Sequence, residues 1–227
     1  MWVKICGNTR LEDCQRAVEL GVDALGFIFA HGKRLVTAEH VRTITSQLPS
    51  HVATFGVFTQ RDPEFILRTA EAAGITGIQI HGAFDAALAS ALRLRFPKSD
   101  APRLIQVVHW DVDEPAELQQ ERLRAELSAL ADSNLVDAAL MDSRTKQGSG
   151  GTGVTFDWGA AASVVQEAPL PVIAAGGLRP ENVAEAVRVL RPWGVDISSG
   201  VESAPGVKDA ARMQQFVHAA RNGSTER

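Results

Sequence analysis

Apolar runs of strand length recur along the chain at Trp2–Cys6, Ala24–Phe29, Ala53–Phe58, Gly77–His81, Leu104–His109, Leu135–Met141, Pro171–Ala175 and Val195–Ser198. Amphipathic runs of helix length lie between them, among them Leu11–Leu20, Ala38–Leu48, Pro63–Ala73, Phe84–Phe96 and Pro180–Leu190; Lys208–Arg221 follows the last strand. The unit repeats about eight times at roughly 25–30 residues each, which predicts parallel strands joined by crossover helices. Within 227 residues this fits an α/β fold, a single (β/α)8 TIM barrel, better than an open doubly wound sheet. No Pro/Gly/Ser linker divides the chain. Residues 1–221 are therefore expected to form one barrel domain, and the polar residues 222–227 a frayed tail. The charged stretch Asp111–Asn134 reads as an enlarged helical crossover.

Alternation sharpens this picture, because strand residues of equal parity share a face. Lys4 and Cys6 share a face of the first strand, Gln79 and His81 of the fourth, Asp196 and Ser198 of the eighth. The economical arrangement turns the polar set into the barrel mouth and the β-branched set toward the helix ring. Lys4 should then meet Asp196, since the eighth strand neighbours the first in a closed barrel. A buried ammonium needs such a partner.

Composition narrows the function classes. Apolar content of 45% supports a full core. A net charge of −4 with both signs scattered gives no bulk attraction to nucleic acid or an anionic membrane. The start Met1-Trp2-Val3-Lys4-Ile5-Cys6 lacks the apolar region of a signal peptide. No apolar run approaches the roughly 20 residues that span a bilayer. Cys6 and Cys14 form neither a Cys-x-x-Cys motif nor a disulfide framework, so a reducing cytoplasm is expected. The six histidines show no ligand spacing, and no metal is expected.

Candidate chemistry sits at the strand ends. In a parallel barrel these open on one face, where reactions take place. Cys6 and Asp142 each end an apolar run. A thiol and a carboxylate on opposite sides of that rim make a candidate base and acid for one substrate. Taken singly, each has a plainer reading, as a small buried hydrophobe and a loop carboxylate. Cys14 reads as structural.

The segments Ala175-Gly176-Gly177-Leu178 and Ser198-Ser199-Gly200-Val201 follow the seventh and eighth strands. Gly176, Gly177, Ser199 and Gly200 could offer backbone N–H groups to a phosphate there, as barrels often do. Two tight turns are the alternative. Gly148-Ser149-Gly150-Gly151-Thr152-Gly153 contains G-x-G-x-x-G but lacks an acidic residue at dinucleotide distance, so no dinucleotide cofactor is expected. A loop over the mouth and a plain linker both suit it. His81 either touches substrate or bonds the backbone at the rim. Lys33-Arg34 either takes a substrate carboxylate, Arg34 supplying a bidentate fork, or is a solvated surface pair.

Taken together these motifs resemble the phosphoribosylanthranilate isomerase family of tryptophan biosynthesis. The resemblance runs through Lys4-Ile5-Cys6-Gly7, Gly26-Phe27-Ile28-Phe29, Ile78-Gln79-Ile80-His81-Gly82, Met141-Asp142-Ser143, Phe156-Asp157-Trp158, Pro180-Glu181-Asn182-Val183 and Val195-Asp196-Ile197-Ser198-Ser199-Gly200-Val201-Glu202. It implies an Amadori rearrangement of N-(5'-phosphoribosyl)anthranilate to 1-(2-carboxyphenylamino)-1-deoxyribulose 5-phosphate. It also implies Asp142 as general acid, Cys6 as general base, Arg34 at the anthranilate side and the two glycine loops at the 5'-phosphate, with no cofactor. The partner would be a small phosphosugar, and the chain a monomer or homodimer. The chemistry suits the residue types. A buried carboxyl with a raised pKa can protonate the ribose ring oxygen. A thiol whose pKa is modestly depressed can then take the C2' proton. The loop from Phe29 to Arg34 departs from the family in being slightly shorter, without the Ser and Pro often found before the arginine.

Two other readings compete. The histidine-pathway isomerase runs the same rearrangement on a similar barrel. It resembles a chain with aspartate where Cys6 stands, and its substrate calls for a second phosphate loop. A non-catalytic phosphosugar-binding barrel would keep the glycine loops without needing Cys6 or Asp142.

Overall fold

The computed structural model describes residues 1–145, 148–149 and 155–225. The segment Gly150-Gly151-Thr152-Gly153 of the glycine cluster lies outside them. Eight strands form the barrel: β1 (Trp2–Ile5), β2 (Ala24–Ile28), β3 (Ala53–Phe58), β4 (Gly77–Ile80), β5 (Leu104–Asp111), β6 (Ala138–Thr145), β7 (Val172–Ala174) and β8 (Gly194–Ile197). The helices are α1 (Leu11–Glu19), α2 (Ala38–Thr45), α3 (Pro63–Ala73), α4 (Ala86–Arg95), α5 (Ala116–Ser133), α6 (Trp158–Gln166), α7 (Val183–Leu190) and α8 (Ala210–Thr225). Neighbouring barrel strands pair in parallel from β1 round to β8, and β8 closes on β1. The expected (β/α)8 barrel is the fold observed.

Local chemistry starts the helices. Thr37, Asp62, Asp85 and Asp157 each accept a hydrogen bond from a first-turn amide, satisfying donors that a helix start leaves over. Amphipathic spacing then seats each helix. In α7, Val183, Ala186, Val187 and Leu190 are buried, the i, i+3, i+4, i+7 stripe of a core-facing helix. The crossover Asp111–Asn134 becomes α5, held by buried Leu123, Leu127 and Leu130. Residues 222–225 of the expected tail continue the last helix. Helix α8 runs to Thr225, because Gly223 packs on α7, where a Cβ would come within 2.9 Å of the Ala184 carbonyl oxygen.

The bore corrects one expectation. Its lower layers are apolar: Ala24, Phe55, Ile105, Val107, Ala138, Leu140 and Ile173 cluster there, with Trp2 and Ala53 against them, and Ala175 extends the cluster up to the level of Met141. Only the layers above carry Lys4, Asp196, Cys6 and Asp142. A closed bore of this width is a packed core, so inward-facing positions low in the barrel must be apolar whatever the parity rule assigns. Gly77 makes room for the Phe55 ring; a Cβ there would sit 2.5 Å from Phe55 Cε1. Trp2 meets the same ring edge-on at 6.2 Å. Among the described residues no helix is long and apolar enough to cross a membrane.

Phe55 is therefore the test of the plug. Phe55→Ala is expected to lower unfolding free energy by about 3–5 kcal/mol, read from urea denaturation. A loss under about 1 kcal/mol would show that the bore is not the tightly packed layer described.

Candidate active site

The seam between β1 and β8 sets the first half of the site. Register places Lys4 beside Asp196, and Lys4 Nζ donates to Asp196 Oδ1 at 2.9 Å with the lysine side chain fully buried. This is the ion pair that the alternation predicted. Burial by itself would discharge the ammonium, but the Asp196 carboxylate and the Cys6 sulfur outweigh it and raise the Lys4 pKa. Cys6 follows β1 directly, its N–H donating to the Ile197 carbonyl at 2.7 Å. Gly26 on β2 gives the thiol and ammonium their shared space; a Cβ there would lie 2.6 Å from Cys6 Sγ and 3.1 Å from Lys4 Nζ. The chain then turns at Gly7, with φ +71°.

The thiol departs from the expected depression. Burial pushes its pKa up, and Asp196 adds to that; Lys4 and Lys208 oppose without prevailing. A thiolate in a low-dielectric site needs more positive charge than two partly neutralised lysines provide.

Asp142 faces the bore from β6, in register with His109 of β5. Burial, reinforced by the Asp196 carboxylate, lifts its pKa to about 7, against a bond from the Ser143 backbone and the charge of Lys4. Gly176, with φ +78°, lets the loop after β7 approach; a Cβ there would stand 2.5 Å from Ser143 N and 2.8 Å from Asp142 Oδ1. Asp142 does not end its strand. β6 runs on to Thr145, because β5 also extends to Asp111 and pairs with it, Arg144 bonding the Asp111 carboxylate at 3.0 Å. Gly148–Ser149 then pairs back on Arg144 and Thr145.

The two glycine loops come together above β7 and β8. A Cβ on Gly200 would run into the Leu178 carbonyl oxygen. Gly176 and Gly177 both take positive φ, +78° and +64°. Asn182 clamps the first loop, accepting from Arg179 N at 2.7 Å and donating to the Gly177 carbonyl at 3.1 Å. Ser199 begins a short 3-10 turn, Ser199–Val201. The fork of Arg34 grips Glu202, with Nε to Oε1 at 2.8 Å and Nη2 to Oε2 at 2.6 Å, while Lys33 is exposed. Arg34 lies over Gly7 beside Ser198, where a Gly7 Cβ would come 2.6 Å from Arg34 Cδ and 2.7 Å from Ser198 Oγ.

The match of the family model described as N-(5'phosphoribosyl)anthranilate (PRA) isomerase spans residues 3–219. The chain belongs to the N-(5'-phosphoribosyl)anthranilate isomerase family. A relative of that name from Geobacter sulfurreducens is 39% identical over 224 residues, covering 96% of this chain and 98% of that protein. One from Pelobacter propionicus is 37% identical over 225 residues, covering 99% and 97%. Among solved structures, phosphoribosyl anthranilate isomerase from Thermotoga maritima superposes with a TM-score of 0.82 at 34% identity, covering 98% of this chain and 99% of that one. A phosphoribosyl anthranilate isomerase in complex with reduced 1-(o-carboxyphenylamino)-1-deoxyribulose 5-phosphate superposes at 0.79, with 32% identity and coverage of 98% and 99%.

Within this family barrel, sequence reasoning placed Gln79 and His81 on one inner face. Gln79 is buried, and among the described residues its Oε1, like Asn8 Oδ1 and Ser198 Oγ, is buried without a hydrogen-bond partner. His81 is bonded not to the backbone but to His109, Nε2 to Nε2 at 3.0 Å. Burial lowers both imidazoles, His109 to about 4, with His81, Arg144 and Arg122 adding to that. One ring must donate and the other accept, and with both imidazoles shifted below their ordinary value the pair is neutral at pH 7. His109, Asn8, Glu202 and Lys208 were not singled out from the sequence. Parity would have found His109, two positions beyond Val107 on the inner face; Asn8 lies in a loop, and Glu202 and Lys208 lie on a hairpin of two short strands, Glu202–Ala204 and Val207–Lys208, too short to show a period.

The carboxyl makes a direct prediction. Isotope-edited infrared titration should find an Asp142 midpoint near pH 7, absent in Asp142→Asn. A midpoint at the ordinary carboxylate value of roughly 4 would contradict the burial argument.

Proposed function

We propose that the chain converts N-(5'-phosphoribosyl)anthranilate to 1-(2-carboxyphenylamino)-1-deoxyribulose 5-phosphate, with Asp142 as general acid and Cys6 as general base. The observation that carries this reading is the burial of the Asp142 carboxyl in the bore, which together with the charge of Asp196 lifts its pKa to about 7. A carboxyl that keeps its proton near neutral pH can give it to the ribose ring oxygen as the amine nitrogen opens the ring to an iminium. The iminium acidifies the C2' proton, which the Cys6 sulfur removes. The resulting enolamine tautomerises to the ketone. The glycine loops after β7 and β8 hold the 5'-phosphate through backbone N–H groups, and Arg34 meets the anthranilate carboxylate with the guanidinium hydrogens outside its Glu202 fork. Lys4 does not compete as base, since Asp196 keeps it an ammonium. Gln79 and His81 line the substrate's approach from β4.

Turnover of freshly generated phosphoribosylanthranilate, followed by loss of anthranilate-type fluorescence, tests the reading. Cys6→Ser and Asp142→Asn should each lose on the order of 100- to 10,000-fold in kcat while keeping the parent fold. A folded parent without turnover, or a variant with parent kcat, would sink the assignment it carries.

The pH profile follows from the order of the two pKa values. Reaction needs Asp142 protonated and Cys6 ionised, yet the carboxyl titrates at about 7 and the thiol above its ordinary value. Below about pH 7, kcat/KM climbs as thiolate grows. Between the two values, gain of thiolate cancels loss of protonated carboxyl, giving a plateau. Above the thiol's own titration only the carboxyl loss remains, and activity falls. The acid break thus reports Asp142 and the alkaline break Cys6. A profile that falls directly above pH 7 without a plateau contradicts this order.

A further inference from the structure

Lys208 is a buried ammonium that none of the steps above uses. It lies in Val207–Lys208, which pairs antiparallel with Glu202–Ala204 beyond β8. Its side chain has no exposed surface. Nζ donates to the Cys6 carbonyl at 2.5 Å, the Ser198 carbonyl at 3.2 Å and Glu202 Oε1 at 3.0 Å. Those three bonds use every donor an ammonium has. Its backbone N–H donates to Asp13 Oδ2 at 3.0 Å, which ties the hairpin to α1. The Glu202 carboxylate that receives the ammonium is the one that grips Arg34 in a bidentate fork. Gly206 N closes the hairpin onto the same Oε1 at 3.3 Å. One continuous polar chain therefore runs from the Arg34 guanidinium through Glu202 and Lys208 to the carbonyls that end the first and eighth strands.

We propose that Glu202 and Lys208 are positioning residues of the reaction, a buried clamp that holds Arg34 and the Cys6 turn in one fixed relative geometry and keeps a positive charge beside the thiol. The proposal rests on the roles assigned above to Cys6 and Arg34. An uncharged staple could tie two carbonyls. A paired charge does more, because it fixes the guanidinium plane at one end and adds to the field on the sulfur at the other. The thiol is faced by Lys4 from its own strand, Asp196 from β8, Lys208 from the hairpin and Arg34 from the loop after β2. Lys208 is thus one of two lysines that oppose the burial of the thiol. Misplacing a reacting group by about 1 Å can cost on the order of 100-fold, and the clamp sets the separation between the group that orients substrate and the group that removes the proton.

The full chain is prepared as Lys208→Met, Glu202→Gln and the double variant, with Cys6→Ser alongside. For each, kcat and KM for phosphoribosylanthranilate are measured across pH. In Lys208→Met the alkaline break should move up by roughly one unit, with a lower plateau. In Glu202→Gln, KM should rise about tenfold or more while kcat changes less, as expected when an interaction made equally in ground and transition states is lost. Glu202→Gln leaves the buried Lys208 ammonium without its carboxylate and can fail to fold, whereas in Lys208→Met the carboxylate keeps its Arg34 fork. The double variant removes both charges, and it must show both the alkaline shift and the raised KM. A staple of structure alone would lower Tm and leave the break and KM at parent values; that result in a folded single or double variant overturns the clamp. If Cys6→Ser keeps parent turnover, the base assignment falls and the clamp falls with it. An inactive Cys6→Ser beside an unaffected Lys208 variant overturns the clamp alone.

Discussion

Lys4 has no exposed surface and one carboxylate, Asp196, across the seam that closes the barrel. Leaving that ammonium unpaired would cost several kcal/mol, whereas replacing both partners by packed apolar groups can be neutral. The pair is therefore better understood as fixing register than as adding net stability. A slip of one residue between β8 and β1 would turn every side chain of one strand to its other face. Lys4 would then point at the helix ring, into the apolar surroundings that now hold Val3 and Ile5. Cys6, two residues on, and Ser198, two beyond Asp196, face the mouth because this pair is made.

The same two charges divide the titration of the site. Asp196 and burial keep Asp142 protonated up to about pH 7, while Lys4 offsets only part of what burial does to Cys6. The acid is ready in the resting protein and the base is not. In the proposed reaction that order is useful. Ring opening spends the proton of Asp142 first and leaves an iminium cation in the mouth. A cation close to the sulfur favours thiolate, so the substrate itself supplies the charge that the protein withholds until the second step.

Much of this was readable from the residues, for definite reasons. Strand and helix periods give the barrel, and equal parity gives the Lys4–Asp196 pair, because both depend on regular backbone. The inward turn of Gln79 and His81 follows by the same rule. The rule failed where closure overrides it, at Ile105, Val107, Leu140 and Ile173, which fill the bore that the polar set was expected to line. It was silent at Glu202 and Lys208, brought together by a two-strand hairpin whose register no period announces. The direction of the Cys6 shift was misread because a neighbouring lysine is visible in the chain, whereas the depth of burial is a property of the closed barrel. The same depth raised Asp142 as expected, since for a carboxyl burial and function pull the same way.

The apolar plug and the chemistry above it are consequently one construction. Phe55, Ile105, Val107, Leu140 and Ile173 lie beneath the charged layer, and they keep water from reaching Asp142 and Cys6 from below. The low dielectric they maintain is the largest influence on both groups. Loosening the plug would admit water and let both pKa values relax toward those of free side chains. The carboxyl would then lose its proton below neutral pH, while the thiol would ionise more easily. Packing in the bore thus carries an opposite influence on acid and base: tighter packing prepares the proton donor and handicaps the acceptor. The cations at the rim, Lys4 and Lys208, stand beside the sulfur, so the positive charge is concentrated on the group that burial penalises and the carboxyl is left with its proton.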